Sequence, residues 1–274
     1  MASNPTGKEM LRASLGLFKQ DRHLIVLPLL AAVTALVTLA AVGLPVVAAL
    51  GTNRAGVIVA LVAAGVLASS ATLFFNVALV FAASDRIEGR TPTVGGSLAK
   101  AWRRRSTILK WALLSAVVGT VVRGLERRLG VFGRLLGFAG AFAWAIATFL
   151  VLPVLAFEDL GPIAVLRRSS ALLKGRFGTV TRSGLRFGML FGSWLVAAMA
   201  IVVIGAMVVP ASRVLGIGLV VVGVFGVLSV AMYASAASIY LRTILYRFSL
   251  GQSVPELGVD LATVLAPATT PVFA

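Results

Sequence analysis

The stretch STILKWALLSAVVGTVV, residues 106–122, decides the architecture, because it decides whether the count of apolar segments is odd or even. Only Trp111 to Val122 within it is uncharged, 12 residues in all. It crosses a bilayer only if Lys110 turns its amine back to the headgroups and leaves its methylenes in the apolar layer. Around it stand five longer runs free of Asp, Glu, Lys and Arg: His23 to Asn53, Ala55 to Ser84, Leu135 to Phe157, Phe187 to Ser212 and Val214 to Leu241. About 20 apolar residues span the hydrocarbon core as a helix, and each of the five is longer than that.

Charge bias arbitrates the sixth. With six spans and the N-terminus inside, 19 of the 25 Lys and Arg fall on the cytoplasmic side. Only Arg54, Arg123, Arg127, Arg128, Arg134 and Arg213 remain outside. Removing the third span would export the basic segment Arg167 to Arg186, against the positive-inside bias. The expectation is an all-α polytopic membrane protein with spans near 24–50, 56–83, 106–122, 135–157, 187–210 and 214–241. They form one domain over residues 1–252, followed by a short cytoplasmic tail, 253–274. The first span, with 27 apolar residues from Leu24 to Leu50, is too long for a cleavable signal's apolar region.

Composition agrees. The chain is 59% hydrophobic and 12% charged, with a mean hydropathy of +1.01, whereas a soluble domain carries about 25% charged residues. The net charge of +16 sits in short blocks between apolar runs, which favours anionic lipid headgroups over nucleic acid. The absence of cysteine excludes disulfides, thiolate metal sites, cysteine nucleophiles and palmitoyl anchoring. Arg outnumbers Lys by 20 to 5 amid abundant Ala, Gly and Val, which points to a high-GC bacterium and hence to its plasma membrane.

The cytoplasmic segments look alike. Leu11, Leu15 and Phe18 precede Lys19 and Arg22; Val94, Leu98, Ala101 and Trp102 precede Arg103, Arg104 and Arg105; Ile163, Leu166, Ser170 and Leu173 precede Lys174 and Arg176. Pro92 and Pro162 open the second and third, where a first-turn proline suits a helix. This predicts a pseudo-threefold repeat of a cytoplasmic interfacial amphipathic helix followed by a two-span hairpin.

Several stretches resemble a bacterial, mainly actinobacterial, family of six-span membrane proteins that carries a "domain of unknown function" label. They are Gln20-Asp21-Arg22 before Leu27-Pro28-Leu29-Leu30, Phe75-Asn76-Val77-Ala78-Leu79, Thr91-Pro92-Thr93-Val94, Ala101-Trp102-Arg103-Arg104, Thr148-Phe149-Leu150-Val151-Leu152-Pro153-Val154-Leu155, and Gly161-Pro162 with Arg167-Arg168-Ser169. The layout is also similar, more distantly, to the membrane domain of bacterial glycerophosphodiester phosphodiesterases. No soluble phosphodiesterase domain is present, so the resemblance implies the topology and no activity.

Candidates for chemistry are few. His23 is the only histidine and reads as an interfacial residue; no nucleophile elbow, zinc-type His pair or P-loop occurs. Glu158 and Asp159 end the fourth run, and Asp85 and Glu88 the second. Adjacent helical residues diverge by about 100°, so structural ion pairs involving Asp85, Arg86, Glu158 and Asp159 are expected in place of catalysis. The span hydroxyls should bond their own helices, and prolines 28, 45, 153 and 210 read as kinks or end signals. Gly184, Gly188 and Gly192 put a glycine stripe on the fifth span, to pack against another span of the same chain or, alternatively, a second copy. Arg103, Arg104, Arg105, Arg167, Arg168, Lys174 and Arg176 are the candidate lipid-phosphate contacts, with Trp102 and Trp111 as flanking interfacial aromatics.

The sequence therefore predicts a non-enzymatic membrane domain, without cofactor or metal, that contacts anionic lipid, a partner protein or its own copy. A passive or lipid transporter and an intramembrane enzyme are the competing classes.

Overall fold

The computed structural model describes residues 21–50, 53–174 and 177–251. The first basic segment through Gln20, Gly51-Thr52, Arg176 and the tail from residue 252 lie outside them. Among the described residues every regular element is helical. A 3-10 turn, Arg22–Ile25, leads into α1 (Val26–Thr38), a π-helical turn (Leu39–Gly43) and α2 (Leu44–Leu50). Then follow α3 (Arg54–Ile87), α4 (Val94–Arg103), α5 (Arg105–Ala147), α6 (Val151–Phe157), α7 (Pro162–Lys174), α8 (Phe177–Val208) and α9 (Arg213–Ser249). Among the described residues six segments are long and apolar enough to cross a membrane: His23–Val46, Gly56–Ile87, Arg105–Val122, Gly137–Phe157, Phe187–Val208 and Arg213–Ser249.

Local chemistry accounts for the interruptions. Pro45 lacks an N–H and its ring would clash with the carbonyl four residues back; the π turn just before it widens the helix there. Asn53 starts α3 by accepting the Gly56 N–H at 3.2 Å, and Thr93 starts α4 by accepting that of Gly96 at 3.2 Å. Gly89 ends α3 with φ +74°. There the Arg90 N–H reaches the Asp85 carbonyl at 2.8 Å and the Gly89 N–H that of Arg86 at 3.0 Å, a closure that needs a left-handed residue.

α5 runs helically through 43 residues, yet it is not a rod. Trp111 and Trp144 stack with centroids 6.0 Å apart and planes 7° apart, whereas a straight helix would separate them by about 50 Å. The segment doubles back, so its two arms form the second hairpin. Trp111 is 4% exposed and belongs to the core, not to the interface expected for it; its ring is covered by the returning arm. Trp102 is exposed.

The returning arm breaks at Thr148–Leu150, one turn before Pro153, whose ring would collide with the Phe149 carbonyl in a continuous helix. The run expected as one span at 135–157 is thus two helices, the end of α5 and α6. Ser169 of α7, fully buried, bridges the break. Its hydroxyl donates to the Ala147 carbonyl at 2.7 Å and accepts the Leu150 N–H at 3.2 Å.

The core lies at one end of the bundle. Its buried residues come from Leu24 and Leu27, Val77 to Ile87, Ala101 to Trp111, Leu150 to Ala156, Val165 to Leu173 and Ala236 to Phe248. This is also where the described ion pairs of Asp21, Asp85, Glu88, Glu158 and Asp159 lie. Towards the other end, large apolar side chains such as Leu36, Val59, Val117, Val196 and Phe225 are exposed. There the helices meet in pairs. α8 and α9 touch backbone to backbone: a Cβ added at Gly216 would lie 2.5 Å from the Val209 nitrogen, and one at Gly223 2.7 Å from that of Val202. Gly188 and Gly192, by contrast, have nothing within 4 Å of an added Cβ. These two glycines of the stripe, expected to pack against another span or a second copy, face open space within the chain, the surroundings of Gly184 lying outside what is described; glycines further along make the close contact.

Candidate functional site: the charged end of the bundle

Asp21 is the most deeply buried acid described, at 0% exposure. Its carboxylate accepts two bonds from Arg86, one from Nε at 2.7 Å and one from Nη2, and a third from the Tyr240 hydroxyl at 3.1 Å. The entry to α1, the end of α3 and the end of α9 are thereby joined at one point. A buried carboxylate is tolerable only when its lone pairs are filled in this way.

The other acids do the same between further pairs of elements. Asp85 takes Arg90 and Lys100, each at 2.6 Å, tying α3 to α4. Glu88 pairs with Arg90 and Arg247, and Arg247 also donates to Ser84 at 2.9 Å, tying α3 to α9. Both carboxylate oxygens of Glu158 accept Arg168 Nε at 3.0 Å, and Oε1 accepts the Tyr246 hydroxyl at 2.9 Å, tying the end of α6 to α7 and α9. Asp159 meets Arg104 at 3.2 Å. Arg86 lies next to Asp85 in sequence but turns to Asp21, 65 residues away.

Once these pairs are made, the basic residues divide. Arg104 and Arg168, expected as phosphate contacts, are held by Asp159 and Glu158. Arg103, Arg105 and Arg167 are exposed and meet no carboxylate among the described residues. Arg105 lies over the Trp102 ring, 5.3 Å from its centroid, and donates to the Trp102 carbonyl at 3.2 Å. Lys174 ends α7, its side chain not described, and Arg176 lies outside the described residues.

Most of the described polar atoms at this end bond within the protein. A cavity of about 200 Å³ is lined by Ser84, Glu88, Phe157, Tyr246, Arg247 and Leu250, and its hydroxyls and charges already bond one another. His23 Nε2 donates to the Pro92 carbonyl at 3.3 Å. No group of three or more His, Asp or Glu among the described residues comes together to hold a metal. Arg242, assigned from sequence to a segment beyond the sixth span, instead lies within α9. Its guanidinium sits 5.0 Å from the Phe149 centroid, and its buried Nε makes no hydrogen bond.

Asp21, Tyr240, Tyr246, Arg247 and Ser169 carry this end, and sequence reasoning gave none of them a role. The available signal was polarity out of place: two tyrosines six residues apart at the end of an apolar run, and one serine on the apolar side of α7.

Six helices long and apolar enough to cross a membrane, among the described residues, mark a multi-pass helical membrane protein. A family model matches residues 54–253, more than half of the chain. The protein belongs to that family, a family of unknown function (DUF6159). The match begins at α3, so Gln20-Asp21-Arg22 and Leu27-Pro28 lie before it. No curated protein and no solved structure matches the chain.

Proposed function

We propose that the protein is a non-catalytic domain of the plasma membrane that holds anionic lipid headgroups at its charged end, the side that faces the cytoplasm. One observation carries this reading: every acid whose side chain is described is spent on an internal pair, while Arg103, Arg105 and Arg167 stay exposed without a carboxylate. Each such cation near an anionic leaflet contributes about 1 kcal/mol. Three together favour anionic over neutral lipid by roughly a hundredfold.

Arg103 ends α4, Arg105 opens α5 and Arg167 lies on α7; the exposure pattern of α4 and α7 supports reading them as two copies of the interfacial repeat. In α7, Val165, Ser169 and Leu173 are buried at four-residue spacing while Ile163 and Arg167 are exposed. In α4, Ser97 and Ala101 are buried while Trp102 and Arg103 are exposed.

Native mass spectrometry tests the reading on protein extracted from vesicles containing phosphatidylglycerol. The expected result is retained anionic lipid, lost when Arg103, Arg105 and Arg167 are changed to Gln. Equal retention by the variant would remove the proposal. Orientation is checked separately: cysteines at Arg54→Cys and Arg213→Cys should label only from outside the cell.

A further inference from the structure

An opening in the membrane-spanning part lies between the first and second hairpins. It is a groove of about 460 Å³ whose walls include Ile58, Val62 and Gly65 of α3 and Ala112, Ala116 and Gly119 of α5. That volume falls within the roughly 300–1,000 Å³ of small-molecule sites. Small residues in the lining, Gly65, Ala112, Ala116 and Gly119, leave the room: an added Cβ at Gly65 would meet nothing within 4 Å. It is open to the surroundings, since Ile58 is 61% and Val62 43% exposed. In a bilayer those surroundings are acyl chains.

The groove has a charged end, and both walls lead to the same place. On α5, Arg105 precedes Ala112 by seven residues, two helical turns, so it lies on the same face about 10 Å further along. On α3, Ser69 lines the groove, and Phe74, about 7.5 Å further along, packs edge-on against Trp102 with centroids 6.1 Å apart. Trp102 carries Arg105 on its ring. An unpaired, exposed guanidinium backed by an interfacial-type aromatic therefore stands where the groove runs out.

We propose that this groove seats one acyl chain of an anionic phospholipid whose phosphate is held at Arg105, with Trp102 at the level of the glycerol backbone. The inference rests on the headgroup reading above and adds a defined tail site to it. Arg105 supplies the charge complementarity that selects an anionic lipid for a seat a neutral one could equally fill by shape.

The test uses the full chain in phosphatidylcholine vesicles doped with phosphatidylglycerol that carries a photoactivatable group midway along one acyl chain. Crosslinks are mapped by mass spectrometry. Labelling should concentrate on residues 58–69 and 112–120, and should fall severalfold in Gly65→Leu, which fills the groove where there is room for it, and in Arg105→Gln. Phosphatidylcholine with the same reactive chain should label the groove severalfold less. Ala116→Leu provides a second filling variant, and a melting curve shows that each variant is folded. Labelling spread evenly over exposed apolar faces such as Val196 and Val221, or unaffected by both filling variants, overturns the seat. If the arginine variants still abolish lipid retention in that event, the headgroup reading stands and only the groove assignment fails. If phosphatidylcholine labels the groove as strongly as phosphatidylglycerol, the selective site proposed here is wrong.

Discussion

The Tyr240 hydroxyl donates to Asp21 Oδ2 at 3.1 Å across 219 residues of chain, on a carboxylate already held by Arg86. Removing the acid takes the carboxylate away from a largely buried guanidinium, and breaking such a pair from one side costs about 3–5 kcal/mol. Asp21→Asn should therefore lower the melting temperature in detergent strongly. Tyr240→Phe removes one bond to a charged group and should cost about 1.5–3 kcal/mol. Equal, small effects from both would mean that the carboxylate does not organise this end.

Ser169 spans the broken helix with two bonds from a fully buried position. Ser169→Ala leaves the Ala147 carbonyl and Leu150 N–H without their partner and should destabilise by about 1–3 kcal/mol. Ser170→Ala next to it is the control, because the Ser170 hydroxyl bonds back only within its own helix, to the Leu166 carbonyl at 2.9 Å and that of Arg167 at 3.0 Å. Its change should stay within about 0.5 kcal/mol. Parallel thermal melts of the two variants decide the matter.

The glycines of α8 and α9 give a contrast within one hairpin. Gly223→Leu forces a side chain into the Val202 backbone, and overpacking of this kind costs about 1–3 kcal/mol or more. Gly188→Leu enters open space and should leave the melting curve unchanged. If Gly188→Leu proved the more damaging of the two, the pairing of α8 with α9 would have to be redrawn.

The return of α5 can be measured directly, because the chain has no cysteine to confuse a pair placed on purpose. Trp111→Cys with Trp144→Cys should be joined by a short bifunctional thiol reagent within a single chain. A straight helix would hold the two sites about 50 Å apart and no such product would form.

Much of the fold was legible because a span is a local property. A run such as Val214 to Leu241 declares itself by lacking charge, and the weak run 106–122 is resolved by a count over the whole chain. The span hydroxyls were legible for the same reason: Thr38, Ser70, Thr72 and Thr120 bond the carbonyl four residues back in their own helices. What escaped was choice of partner. Asp85 and Arg86 are neighbours in sequence, yet Asp85 takes Lys100 and Arg86 takes Asp21, a sorting fixed only when three hairpins converge. The glycines mislead in the same manner. Every fourth residue makes a visible stripe at Gly184, Gly188 and Gly192, whereas the close contact is shared between Gly205 on one helix and Gly216 and Gly223, seven residues apart, on the other. Pro153 announced a disturbance in the fourth run, but the serine that repairs it sits on another helix.

The gathering of the buried core at one end has a mechanical consequence. α3 and α9, with 34 and 37 residues, are longer than the roughly 20 residues that a hydrocarbon layer requires. Their surplus lies in the packed, ion-paired layer, while the remainder stands in lipid as paired arms. A thicker or thinner bilayer is then met by each pair of arms changing its tilt about a fixed base, at fractions of a kcal/mol per ångström, with no ion pair broken. The ion-paired layer is thereby expected to keep one geometry while the arms follow the thickness of the bilayer.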